Sequence, residues 1–174
     1  MGIVLRIESL NPMVPIEVND ILKPGDTLLY SPKGIFGWLI SIKTWNAISH
    51  TEIYIGDGYS VAARGGVGVG TYPVRLDQLI YIYRPNKPFK LAKALKWYLL
   101  ISRGQRYDWW GLIRFAWRSK IVADNKDNKQ FCSEFATRFY RAGGLDLFNK
   151  YDADAVAPFM FSSTPYLDLI WKAE

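Results

Sequence analysis

The chain of 174 residues contains one histidine and one cysteine, and each lies in a run suited to nucleophilic chemistry. The first run is Ser49-His50-Thr51-Glu52-Ile53-Tyr54-Ile55-Gly56-Asp57-Gly58, and the second is Phe131-Cys132-Ser133-Glu134-Phe135. A cysteine attacks carbon as its thiolate, which a nearby imidazolium and the positive end of a helix both stabilise. If the two residues meet, Cys132 attacks a carbonyl, while His50 takes the thiol proton and returns it to the leaving group. The backbone amide of Cys132, at a helix start, would face the oxyanion. Each residue alone also has a plain reading. Free cysteine is among the most buried residue types, and one between Phe131 and Phe135 can pack as a small hydrophobe. A strand histidine can be a half-buried polar residue.

The elements that must bring the pair together follow from periodicity. From Ile48 to Ile55 the residues alternate, Gly56-Asp57-Gly58 reads as a tight turn, and Tyr59 to Ala63 returns as a second strand, a hairpin with His50 near its start. Thr27-Leu28-Leu29-Tyr30, after the turn Lys23-Pro24-Gly25-Asp26, reads as a short strand, as do Val69 to Val74 and Leu79 to Arg84. Pro85 and Pro88 close this β region, and the remainder is expected to be helical. Phe89 to Ser102 is ended by Gly104, Tyr107 to Arg118 carries Trp110 and Trp117 at helical spacing, and a helix near Phe131 stops at Gly143-Gly144. Cys132 therefore opens a helix. Residues 1–22, with Pro12 and Pro15, are expected to be an arm or an edge strand, and 23–174 one α+β domain.

Composition narrows the functional class. Lys and Arg number 22 against 16 Asp and Glu, a net charge of +6, which favours anionic partners such as a cell-wall polymer or phospholipid headgroups. The charge is spread and no nucleic-acid reading motif accompanies it, so nucleic-acid binding is not expected. A single cysteine makes no internal disulfide, and Cys and His ligands for a structural zinc run out at two, so no metal or cofactor is expected. No apolar run approaches the roughly 20 residues of a bilayer-spanning helix, while contact with a membrane surface stays open. The N-terminus reads as neither a secretion signal nor a lipid anchor. That implies synthesis in the cytoplasm, with release by lysis or delivery in a phage particle left open.

The glycines from Gly65 to Gly70 match no phosphate-loop spacing and read as a hairpin loop. Trp109, Trp110 and Trp117 read as a core-facing helix, Asp108 as its cap, and Glu134 as a stabiliser of the helix start. Trp38 and Trp45, just before the histidine strand, are candidate walls of a substrate groove.

Taken together, Lys23-Pro24-Gly25-Asp26, the run from Ser49 to Gly58, Tyr107-Asp108-Trp109 and Phe131-Cys132-Ser133-Glu134 resemble the circularly permuted NlpC-like papain-fold family. That family includes YiiX-type bacterial proteins and is related to the lecithin-retinol acyltransferases. The resemblance runs from about residue 23 to the C-terminus, and the histidine-before-cysteine order is that of the permuted branch. It implies a papain-like antiparallel sheet packed on helices, with Cys132 as nucleophile and His50 as base. It further implies a cysteine peptidase or amidase acting on cell-wall peptides or related amides. In such enzymes a polar residue on the next strand orients the imidazole, and here that position is Ala62. Ser60 and Arg64 share the face of Ala62, and Glu52 shares that of His50, leaving these three, with Tyr54, as candidates to orient the base or touch substrate. Two other readings remain: a thiol-dependent acyltransferase or lipid acyl hydrolase, and a catalytically degraded binding module.

Overall fold

The β-branched and aromatic residues from Ile48 to Arg64 form a hairpin whose strands have packed surface to face on both sides. In the computed structural model, which describes residues 16–32, 47–108 and 129–173, the strands are β1 (Thr27–Tyr30), β2 (His50–Gly56), β3 (Tyr59–Arg64), β4 (Gly68–Pro73), β5 (Leu79–Pro85), β6 (Arg106–Tyr107), β7 (Lys129–Gln130) and β8 (Leu167–Lys172). Six of them form an antiparallel sheet of order β4-β3-β2-β1-β5-β8, and β6 and β7 pair in parallel beside it. The described helices are α1 (Ile16–Ile21), α2 (Leu91–Trp97) and α3 (Cys132–Ala142). This is an α+β fold.

The sheet buries both faces. On one, Leu29, Ile53, Val61 and Ala63 pack against Phe131 and against Phe135 and Phe139 of α3. Those three rings are almost fully buried and contribute roughly 2 kcal/mol each in removed apolar surface. On the other face, Leu28, Tyr30, Tyr54 and Ile82 cluster with Val18 of α1 and Leu22. The expected arm or edge strand is thus a helix over residues 16–21. Pro15 precedes it directly, and proline's fixed φ suits a helix start. Residues 1–15 lie outside the described residues.

Two turns pin the hairpin. Gly56, Asp57 and Gly58 all have positive φ (113°, 52° and 77°), a conformation that glycine adopts at little cost, and the Gly58 N–H donates to the Tyr54 hydroxyl at 3.2 Å. In the Lys23–Asp26 turn, Asp26 accepts the Lys23 N–H at 2.8 Å and both Arg84 Nε and Nη2, each at 2.8 Å. Gly25 has φ of 100°, and a Cβ there would lie 2.8 Å from the Phe89 ring. The Tyr140 hydroxyl donates to the Gly25 carbonyl at 2.8 Å, tying α3 to the turn and so to β1. The Pro-Gly-Asp motif is therefore a structural clasp.

Two expectations about the second half are corrected. The chain after Pro85 is not wholly helical: β8 returns to pair with β5 at the sheet edge. Its residues are mostly exposed, in the pattern of an edge strand, so hydrophobic periodicity had little to report. Tyr107 belongs to the short strand β6 and does not open a helix. The helix expected beyond it, with Trp109, Trp110 and Trp117, falls outside the described residues, as does the segment from Gly34 to Trp45.

Candidate active site

Cys132 is the first residue of α3 and is buried, 1% exposed. The position before it, Phe131, has extended dihedrals (φ −100°, ψ 172°) and no side-chain oxygen to cap the helix. The first-turn amides are therefore not taken up by an N-cap side chain, the situation in which a helix start accepts an anion. Glu134, buried in the same turn, accepts the Phe131 N–H at 3.4 Å and pairs with Arg138 at 2.8 Å. Burial, with smaller contributions from Asp154 and Asp108, raises its pKa to about 7 against the opposing pull of Arg138 and the Phe131 N–H. Ser133 donates to the Val156 carbonyl at 2.6 Å and fastens the helix start to the chain beyond it.

His50 is the first residue of β2, paired with Tyr30, whose ring lies 5.8 Å from the imidazole. Its Nε2 is 2.9 Å from Glu52 Oε1. Because an ionised carboxylate only accepts, Nε2 must carry the proton, and Nδ1 is left for the thiol. Burial alone would push the imidazole pKa down. The charge and hydrogen bond of Cys132, followed by those of Glu52, outweigh it and raise His50 from 6.5 to about 9.

Glu52 is fully buried and surrounded by donors. Oε1 accepts from Arg64 Nε at 2.8 Å and Arg75 Nη2 at 3.1 Å; Oε2 accepts from Arg64 Nη2 at 2.9 Å, the Ser60 hydroxyl and the Tyr30 hydroxyl at 3.4 Å. Burial opposes the carboxylate charge, but the hydrogen bonds and charges of His50 and then Arg64 hold its pKa far below the usual range. Each arginine lies over an aromatic ring, Arg64 at 4.3 Å from the Tyr72 centroid and Arg75 at 5.0 Å from that of Tyr30.

Of the sequence candidates, Cys132, His50, Glu52, Ser60 and Arg64 come together. The question raised by Ala62 has a register answer. The β2–β3 pairing sets Ile53 opposite Val61 and Tyr54 opposite Ser60, and continuing it sets Glu52 opposite Ala62. Thus the carboxylate stands on the histidine's own strand, and Ser60 and Arg64 flank the alanine to hold it. Tyr54 serves the turn at Gly58 instead. Trp38 and Trp45 lie outside the described residues.

His50 and Glu52 alternate with Thr51 and Ile53, so their strand positions face away from the α3 side of the sheet. The imidazole meets the thiol at the start of the strand, not through the middle of a helix–sheet interface. Sequence reading missed Arg75, Tyr30, Tyr72 and Tyr107. Tyr107 is buried close enough to Cys132 that, after desolvation, the cysteine's charge is the next cause raising its hydroxyl pKa. The partial signals were Tyr30, on a strand able to pair with β2, and the Tyr107-Asp108 motif; Arg75 had none.

No family model matches the chain, and no curated protein matches it. Among solved structures, the fold is similar to that of the metalloprotein YiiX from Escherichia coli O157:H7, with a TM-score of 0.59 and 18% identity over 87% of this chain and 97% of that one. At that identity the likeness shows a shared fold. Among the described residues, no group of three or more His, Cys, Asp or Glu side chains is arranged to hold a metal ion. The oxygens of Glu52, nearest the histidine, are occupied by arginine, serine and tyrosine donors.

Proposed function

We propose that the protein is a papain-like cysteine hydrolase acting on amide bonds. The observation that carries this reading is the chain of contacts from Cys132 to His50 to the buried, ionised Glu52. Cys132 Sγ attacks the carbonyl carbon, and the oxyanion points at the Cys132 N–H. The imidazolium of His50 gives its Nδ1 proton to the departing amine, leaving a thioester. Water then attacks the thioester while His50 takes its proton, and the thiolate leaves as the acid product is released. Glu52 keeps the Nε2 proton in place, so that Nδ1 faces the thiol throughout, the orienting role of the third residue in such sites. The proposed substrates are cell-wall peptides or related amides, whose anionic polymer suits the net charge of +6.

A second reading, acyl transfer or hydrolysis on lipids by the same thiol, is favoured by the exposed apolar residues Leu99, Leu100 and Ile101 on the segment leading to Tyr107. The grounds for a binding-only module lay in Ala62, and Glu52 supplies in this reading what Ala62 lacks. The test is to incubate the intact protein and Cys132→Ala with peptidoglycan fragments and with phospholipid or acyl-ester substrates. Release of new amino groups by the intact protein alone supports amide hydrolysis. Turnover of acyl esters with no amine release moves the assignment to lipids, and equal behaviour of the two proteins overturns a thiol mechanism.

A further inference from the structure

The helix α2 buries Ala94 and exposes Ala92, Lys93 and Lys96. At Tyr98 it widens into a π-turn running to Ser102, closed by the Arg103 N–H on the Tyr98 carbonyl at 2.8 Å. Tyr98 and Ser102 at its ends are buried, and the three residues between are turned outward: Leu99, Leu100 and Ile101 are 56%, 72% and 61% exposed. Three consecutive large apolar side chains facing solvent mark an interaction surface. Single-turn π-segments are rare and concentrate at functional places. The turn of the β3–β4 hairpin is joined to the same segment by Val69 N–H to the Gln105 carbonyl at 2.8 Å and Gly104 N–H to the Val69 carbonyl at 2.9 Å. It adds Val67, 74% exposed.

The stretch of chain that carries this tip has charge of one sign. Between Asn86 and Tyr107 the chain carries Lys87, Lys90, Lys93, Lys96, Arg103 and Arg106, all exposed, and no Asp or Glu. The segment thus carries +6, equal to the net charge of the whole chain. The hairpin residues from Ser60 to Arg75 likewise include no acidic residue.

We propose that this surface docks the protein on an anionic phospholipid bilayer. Leu99, Leu100 and Ile101 enter the boundary between headgroups and acyl chains, and lysines and arginines of the same segment sit on lipid phosphates. The two features together select this occupant. An apolar tip rimmed by cations fits a surface that is negative outside and apolar just beneath. A second copy of the chain, docked through the same patch, would bring like-charged segments face to face over a contact of a few side chains. Nucleic acid would match the cations and leave the apolar tip unused. The inference does not depend on the proposed reaction. It does place the bilayer near the candidate site, since Arg106 and Tyr107 of β6 pair with Lys129 and Gln130 of β7, two residues before Cys132.

The test is co-sedimentation of the full chain with large vesicles of phosphatidylcholine alone and of phosphatidylcholine with phosphatidylglycerol. Binding is expected only to the anionic vesicles, and it should weaken steeply between low and physiological salt. The triple variant Leu99→Ser, Leu100→Ser, Ile101→Ser should bind roughly tenfold or more weakly, and Lys93→Glu, Lys96→Glu should do the same. These positions are exposed, so circular dichroism melts should match the parent. Three results would overturn the proposal: no sedimentation with anionic vesicles, sedimentation undiminished by the apolar triple variant, or a concentration-dependent dimer in gel filtration that the triple variant abolishes.

Discussion

The lone histidine makes the electrostatics of the site directly measurable, because every imidazole signal in an NMR spectrum belongs to His50. In the folded protein it should titrate with a midpoint of about 9, against 6.5 for an unperturbed histidine. That difference corresponds to about 3 kcal/mol at 1.36 kcal/mol per pH unit. The sign follows from linkage. A cationic group with a raised folded pKa adds its full stabilisation below pH 6.5 and loses it as pH rises to about 9. Removing Cys132 tests the cause. In Cys132→Ala the burial that depresses the imidazole remains, while the largest of the raising contributions, the cysteine's charge, disappears with its hydrogen bond. The midpoint should then fall by about one unit or more, or at least about 1.4 kcal/mol. The assay is a titration of the imidazole Cε1–H shift from pH 5 to 10 in both proteins, with backbone spectra confirming the fold. A midpoint near 6.5 in the intact protein, or one that does not move in Cys132→Ala, would refute the claim that thiol and imidazole act on each other.

Two further outcomes concern the carboxylates. Glu52→Gln removes the negative charge that pairs with His50, Arg64 and Arg75, so the alkaline limb of any Cys132-dependent activity should move to lower pH. Leaving these part-buried cations without their counter-charge should also cost roughly 1–3 kcal/mol in denaturant unfolding; a variant as stable as the parent would contradict the network. Glu134, with a folded pKa of about 7, behaves oppositely to an ordinary paired carboxylate. Its buried neutral form is favoured, so stability contributed below pH 4.5 is lost as pH rises to about 7, on the order of 3 kcal/mol. Chemical denaturation of Glu134→Gln from pH 4 to 8 should lack that slope, whereas a parallel pH dependence would show the carboxylate is not buried as described.

Local chemistry made much of this legible. The hairpin from His50 to Arg64 was readable because two runs rich in β-branched and aromatic residues meet at three turn residues whose positive φ values suit Gly-Asp-Gly. The α3 start at Cys132 and its end at Gly143 were readable from the aromatic spacing and the terminal glycines. Strand β8 was not, because an edge strand with one face in solvent needs only one buried residue, Leu167, and its partner β5 lies some eighty residues earlier. Helix α1 was obscured by two prolines that read as strand-edge signals until Pro15 proved to precede a helix.

The sequence by itself determined which atoms are available for chemistry: one thiol, one imidazole, the order in which they come, and the strand and helix that carry them. It also determined that Glu52 shares a strand face with His50, since side chains two apart along a strand always do. Only the tertiary structure decided that Glu52 is the group that binds the imidazole. That outcome depends on strand register, which puts small Ala62 opposite the carboxylate, and on Arg64, Arg75, Ser60 and Tyr30 converging from three other parts of the chain. A buried carboxylate stays ionised only when enough donors surround it, and donors from distant segments meet only once the chain has folded.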